Sequence, residues 1–229
     1  MMRYIALTFT GLALSAAPVM SQVSGNVLVI EKENKGRKLA GNLLVWVSRA
    51  GEFETNNDAG APLRSDPAPP SITSRNKKFE PRISAVSVGA TLVFPNVDDI
   101  MHNVFSLAEG NRFDLGLYKS GAKKNFVFET PGLVRIYCNI HPQMSAFVHV
   151  MPNSYFAWAE PDGSFVIPDV PPGDYTLNAW HEEGEQMQPV VVTEQGANGV
   201  VVRLDVSDFK KRPHLNKFGK PYKRKRGKY

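Results

Sequence analysis

Apolar side chains in this chain recur at every second position, and no stretch holds a sustained helical period with caps at both ends. Val86 and Val88 alternate with polar neighbours, as do Phe126 and Phe128, then Val134, Ile136 and Cys138, and lastly Val200, Val202, Leu204 and Val206. A period of two puts successive side chains on opposite faces of an extended strand, so each run buries one face and wets the other. Turn chemistry interrupts the runs at Asn34-Lys35-Gly36, Pro131-Gly132, Pro161-Asp162-Gly163 and Pro171-Pro172-Gly173-Asp174. Short strands closed by frequent turns predict an all-β chain built of sandwiches.

Both ends read differently from the middle. Residues 1–21 carry one positive residue (Arg3), an apolar run from Tyr4 to about Val19, and small residues before a cut at Ser21/Gln22. This is the pattern of a secretory signal peptide, which predicts export to the periplasm. An uncleaved anchor is the alternative, against which the run is short and rich in Ala, Ser and Thr. Residues 209–229 hold ten Lys and Arg and no acidic residue. Without them the chain has 17 basic residues against 22 acidic ones, so the formal net charge of +5 belongs to the tail. Such a tail is expected to be disordered and solvated, or to tether the protein to an acidic partner or an anionic membrane surface. Export argues against nucleic acid.

Between the ends, residues 51–73 are poor in large apolar side chains, include Ser65-Asp66-Pro67-Ala68-Pro69-Pro70-Ser71, and read as a linker. A strand-rich block follows over 74–151, and a further β block over 152–208. Residues 22–50 add two strand-like runs, 26–30 and 43–47. Two arrangements account for them. Either 22–50 joins 152–208 in one discontinuous sandwich with the middle block inserted, or 22–50 adds edge strands to the middle block.

Cys138 is the only cysteine, so an exported chain of this kind has no internal disulfide and its thiol is either inert or functional. The run Cys138-Asn139-Ile140-His141-Pro142-Gln143-Met144 brings thiolate, imidazole and thioether within seven residues. His102 supplies a second imidazole from a separate strand and shares the parity of Val104, as Cys138 shares that of Val134 and Ile136. Two His, one Cys and a weak axial Met make the ligand set of a blue copper site, soft sulfur suiting Cu(I) and imidazole serving both oxidation states. Zinc is the rival metal, but structural zinc sites are built from Cys, His and carboxylate, not thioether. No Ser/His/Asp grouping or phosphate-cradling glycine loop is present, and Asp98-Asp99 read as solvated loop carboxylates, so the chain is not expected to be an enzyme.

The middle block resembles the cupredoxin family of blue copper proteins, amicyanin and its plastocyanin and pseudoazurin relatives. The resemblance rests on the Cys-x2-His-x2-Met loop, on His102-Asn103-Val104, and on Phe128-Glu129-Thr130-Pro131-Gly132-Leu133-Val134-Arg135-Ile136-Tyr137-Cys138. Phe113-Asp114-Leu115-Gly116-Leu117-Tyr118 lies outside that pattern. The resemblance implies a Greek-key sandwich with copper near one end, His141 as the more exposed ligand, and Asn103 tying the His102 strand to the Cys138 loop. It also implies that Pro142, with no N–H and a fixed φ, stiffens the loop. Val23-Ser24-Gly25-Asn26-Val27 and residues 160–180 resemble a carboxypeptidase-regulatory-like (transthyretin-like) β-sandwich, Ig-like in architecture. The whole arrangement resembles exported methylamine-utilisation or plastocyanin-like proteins.

The remaining histidines suggest less. His149 lies on the face opposite Val148 and Val150 and is predicted to be exposed. His181, beside Glu182 and Glu183, is read as a polar strand end facing the copper block, with a second weak metal site as the alternative. The expected function is one-electron transfer between redox donor and acceptor proteins, copper bound by His102, Cys138, His141 and Met144. The alternatives are copper buffering or delivery without redox turnover, and a cell-surface binding module that carries a copper domain.

Overall fold

The computed structural model describes residues 21–32, 42–49, 69–210 and 213–222. The signal segment, except Ser21, lies outside them, as do residues 51–68 of the expected linker. Among the described residues there is no helix, and the chain forms sixteen strands. These are β1 (Ser21–Ile30), β2 (Leu44–Ser48), β3 (Thr73–Arg75), β4 (Lys78–Glu80), β5 (Ile83–Ser87), β6 (Ala90–Pro95), β7 (His102–Ser106) and β8 (Phe113–Tyr118). They continue as β9 (Lys123–Phe128), β10 (Gly132–Tyr137), β11 (Ser145–Met151), β12 (Phe156–Trp158), β13 (Ser164–Val170), β14 (Gly173–His181), β15 (Gly184–Val192) and β16 (Ala197–Asp205).

Strands from the two ends of the described chain share sheets. One sheet has the order β13-β1-β16 and another β12-β2-β14-β15. Between them lies an apolar cluster of alternate residues: Val23 and Val27, Val45 and Val47, Phe165 and Ile167, Leu177 and Ala179, Val202 and Leu204. β1 runs parallel to β16, which needs no hairpin because they come from opposite ends of the chain. Gly25 sits in this pairing where a Cβ would collide with the Val200 carbonyl, so the backbones meet closely there only because position 25 is glycine.

The other three sheets come from the middle of the chain. A five-stranded sheet, β5-β11-β10-β7-β8, faces the β6-β9 pair, and β3-β4 is a short hairpin beside them. The core includes Leu92, Phe94, Val104, Phe128, Val134, Ile136, Val148 and Val150, with the Phe113 ring stacked on Phe126 at 4.1 Å between centroids. Burying each such large side chain contributes roughly 1.5–3 kcal/mol relative to leaving it in water. The middle block takes in residues that the expected linker had claimed. Ser71 bridges Val93, Ile72 is fully buried and Thr73 opens β3, so these residues belong to the fold.

The two sets of sheets meet over Leu44, Trp46, Ile83, Met151 and Trp180. β2 is buried on both faces for this reason: Val45 and Val47 point into one core, Leu44 and Trp46 into the contact. This contact also corrects the exposed His149. The alternation in β11 is as read, but the face opposite Val148 and Val150 is covered. His149 is 4% exposed, its ring 4.4 Å from that of Trp180 and 5.4 Å from that of Trp46.

Candidate metal centre

β7 and β10 lie side by side in the five-stranded sheet, with Ile136 opposite Ser106 and Tyr137 opposite Phe105. Cys138 follows the end of β10, and the chain turns back through residues 139–144 into β11, where Ser145 pairs with Tyr137. The turn is tied to itself: the Cys138 amide donates to the Met144 carbonyl at 3.3 Å, and the Met144 amide to the His141 carbonyl at 2.9 Å. Because side chains alternate along a strand, Cys138 points into the sandwich and Tyr137 points out.

Three donor atoms converge at this end. Cys138 Sγ lies 3.9 Å from His102 Nδ1 and 3.7 Å from His141 Nδ1, and the two Nδ1 atoms are 3.1 Å apart. Among the described residues, this is the one group of three or more His, Cys, Asp or Glu whose donors gather closely enough to hold a metal. Two donors on one ion cannot be further apart than the sum of their bond lengths, roughly 4.2 Å for two nitrogens and 4.4 Å for nitrogen and sulfur. All three separations lie inside those limits, so the donor set fits a single soft-to-borderline ion. Cys138 and His102 are fully buried and His141 is partly exposed. Met144 is 1% exposed and belongs to the same buried cluster as Cys138.

The buried imidazole is oriented from behind. His102 Nε2 lies 2.7 Å from Asp98 Oδ2, and this carboxylate also accepts the amides of Asn76 at 2.5 Å and Lys77 at 2.9 Å. Both amides point inward because Asn76 and Lys77 turn the β3-β4 hairpin with positive φ, 51° and 55°. Burial raises the Asp98 carboxyl, but the Lys77 amide, His102 and the Asn76 amide outweigh it and hold its pKa below the ordinary value. An ionised acceptor at Nε2 fixes the tautomer, leaving the Nδ1 lone pair free to face the cluster. Asp98 is therefore not the solvated loop carboxylate expected from the sequence. The signal available was its position four residues before His102, in a loop held by buried Asn96 through the Ile100 and Tyr118 carbonyls.

His141 is lowered from its ordinary pKa by burial and by the nearby His102 and Lys77, which favours the neutral form a ligand needs. Asn103 Oδ1 accepts the Asn139 amide at 3.0 Å, so it joins β7 to the residue after Cys138. Its Nδ2 donates to Asp114 Oδ1 at 2.6 Å, giving the Phe113–Tyr118 strand a place at the site.

Residues 213–222 of the C-terminal tail are here too, where the sequence led us to expect disorder over 209–229. His214 stacks on Tyr137 at 3.9 Å between centroids, and its Nε2 donates to the Pro142 carbonyl at 2.7 Å. The Lys217 amide donates to Asn139 Oδ1, and its Nζ lies 2.7 Å from Asp114 Oδ2. Tyr222 Oη donates to the Cys138 carbonyl at 3.4 Å. Basic composition hid this contact. The sequence signal for it was the aromatic and apolar side chains set among the lysines, His214, Leu215, Phe218 and Tyr222.

His181 is 4% exposed at the end of β14, where its Nδ1 accepts the Glu183 amide at 3.2 Å. Glu182 pairs with Arg82 of the middle block, with Arg82 Nε at 3.0 Å. Those acids do not gather with His181 into a second metal group among the described residues.

Comparison with known proteins gives three findings. A family model described as polysaccharide lyase family 4, domain II, matches residues 144–200, from the end of the Cys138–Met144 loop into β16. On those residues it replaces the carboxypeptidase-regulatory-like resemblance of the sequence reading. No curated protein matches the chain. Among solved structures, a purple cupredoxin from Nitrosopumilus maritimus is similar at 23% identity and TM-score 0.33, over 36% of this chain and 99% of that one. A reduced Cu(I) amicyanin variant at pH 4 has 24% identity and TM-score 0.35, over 38% and 85%. An oxidised amicyanin variant has 19% identity and TM-score 0.36, over 42% and 95%.

Proposed function

We propose that the protein is an exported one-electron carrier that holds a single copper ion between His102, Cys138 and His141, with Met144 as the weak fourth ligand. The observation that carries this reading is the convergence of one sulfur and two Nδ1 atoms at 3.1–3.9 Å, one imidazole with its tautomer set by Asp98. Thiolate and imidazole together are the donors that suit copper in both oxidation states, and copper supplies the one-electron couple. The chain contributes rigidity. His102 is held by Asp98, Asn103 holds the loop, and Cys138 and Met144 are packed in the core, so the donors move little when charge changes. His141, partly exposed, gives electrons their way to donor and acceptor proteins. No reaction of the chain's own is involved. The copper block is read as a guest in a discontinuous host sandwich, 22–50 with 152–208, supported by the sheets that β1 and β2 share with β12–β16.

The test is a titration of the purified full chain with Cu(II), followed by absorption and EPR. The wild type is expected to take up one equivalent and show an intense visible thiolate-to-copper band, and Cys138→Ser is expected to bind without it. An unchanged spectrum in the variant removes Cys138 from the ligand set. Fast reversible voltammetry separates a carrier from a delivery protein, which instead surrenders its ion to a chelator. A second reading is favoured by the match of residues 144–200 to a domain of polysaccharide lyases, namely that the outer sandwich binds a glycan. Retention of the protein on cell-wall polysaccharide tests it.

A further inference from the structure

Alternation along β7 and β10 divides their ends into two faces. His102 and Cys138 point into the sandwich, whereas Asn103, Tyr137 and Asn139 belong to the other parity. Segment 213–222 lies on that second face, with His214 on Tyr137 and the Lys217 amide on Asn139. Its shape is set locally. Asn216 accepts the amides of Phe218 and Lys220 on Oδ1 at 3.0 and 3.1 Å, and its carbonyl accepts the Gly219 amide at 2.8 Å. Gly219 takes φ 71°, as the turn requires.

The contacts close a ring around the residue that follows Cys138. The Lys217 amide donates to Asn139 Oδ1 at 3.1 Å, and the Asn139 amide donates to Asn103 Oδ1 at 3.0 Å. Asn103 Nδ2 donates to one oxygen of Asp114 at 2.6 Å, and Lys217 Nζ meets the other at 2.7 Å. Two further bonds reach the ligand loop itself, from Tyr222 Oη to the Cys138 carbonyl and from His214 Nε2 to the Pro142 carbonyl. The segment thus holds the main chain on both sides of His141, through the Cys138 and Pro142 carbonyls. Loop carbonyls would otherwise be left to water, and a loop free to open lets a bound ion leave.

We infer that residues 213–222 are a strap that locks the ligand loop, making His214, Lys217, Tyr222 and Asp114 positioning residues for Cys138 and His141. The copper arm of this inference rests on the function proposed above; the strap itself does not. The strap keeps the loop closed in the metal-free protein and slows release of the ion once it is bound. Its Lys217 ammonium meets the body of the chain at Asp114, so high salt loosens it.

The experiment compares the full chain with its His214→Ala/Lys217→Met/Tyr222→Phe variant, and with Lys217→Glu, which sets like charge against Asp114. In the metal-free proteins, amide hydrogen exchange is followed at Cys138, Asn139 and Met144. Both variants are expected to exchange at least tenfold faster there, with exchange in β14 and β16 unchanged. In the Cu(II)-loaded proteins, loss of the visible band to excess chelator is expected to be about tenfold faster in the variants, equivalent to ~1.4 kcal/mol. Equal exchange at the three amides in wild type and variants overturns the strap, whatever the metal. A full chain that exchanges as expected but shows no thiolate band overturns the copper reading and leaves the strap standing. A variant that loses protection throughout the middle block as well overturns the positioning role in favour of a global one.

Discussion

Acid should weaken this protein through His149. Its imidazole is 4% exposed, enclosed by the rings of Trp46 and Trp180. Burial, with a smaller contribution from the charge of Arg135, lowers its pKa from 6.5 to about 4. In the unfolded chain the same group titrates near its ordinary value. Between those two pH values the unfolded state binds more protons than the folded one, so stability falls as the pH drops. At 1.36 kcal/mol per pKa unit the full loss is about 3.4 kcal/mol below pH 4, and about 2.6 kcal/mol is already lost at pH 4.5. The perturbation that isolates it is His149→Phe, a ring of similar size without a titrating group. Urea unfolding of both proteins, followed by tryptophan fluorescence, gives the difference in stability at pH 7.5, 5.5 and 4.5. Contributions from the other ionisable groups are common to both proteins and cancel. The variant is expected to gain on the wild type by about 2–3 kcal/mol between pH 7.5 and pH 4.5. A difference constant to within about 0.5 kcal/mol over that range, or one of opposite sign, refutes the burial argument.

Three other substitutions probe the site and the fold. Asp98→Asn removes the charge that sets the His102 tautomer and is expected to weaken copper binding by about 10–100-fold, measured by competition with a chelator. Met144→Leu is expected to keep copper while raising the reduction potential, since losing a donor disfavours Cu(II) more than Cu(I); voltammetry reads the shift, and complete loss of metal contradicts a purely tuning role. Gly25→Ala drives a Cβ into the Val200 carbonyl and is expected to destabilise the outer sandwich by about 1–3 kcal/mol in thermal or urea unfolding.

Much of this site could be seen along the chain. Cys138, His141 and Met144 lie in one short loop, and the parity shared by His102 and Val104 announces an inward imidazole. The structure adds Asp98, whose role depends on a hairpin turn at Asn76 and Lys77 over twenty residues earlier. Its place four residues before His102 is the one local hint and a weak one, because an Asp beside another Asp in a loop looks the same whether water or an imidazole faces it.

The sequence by itself determined the strands, since alternation is a property of neighbouring residues and shows how each strand divides its side chains between two faces. It also supplied the candidate donors, since thiol, imidazole and thioether chemistry comes with the residue types. Tertiary structure alone decided what covers each face. The outer sandwich lies over one face of β11 and buries His149. Residues 213–222 lie over the outer face of β7 and β10, turning part of a basic tail into a wall of the site. The physical reason is that burial depends on what else is near in space, and the segment over Tyr137 and Asn139 comes from more than seventy residues further along the chain.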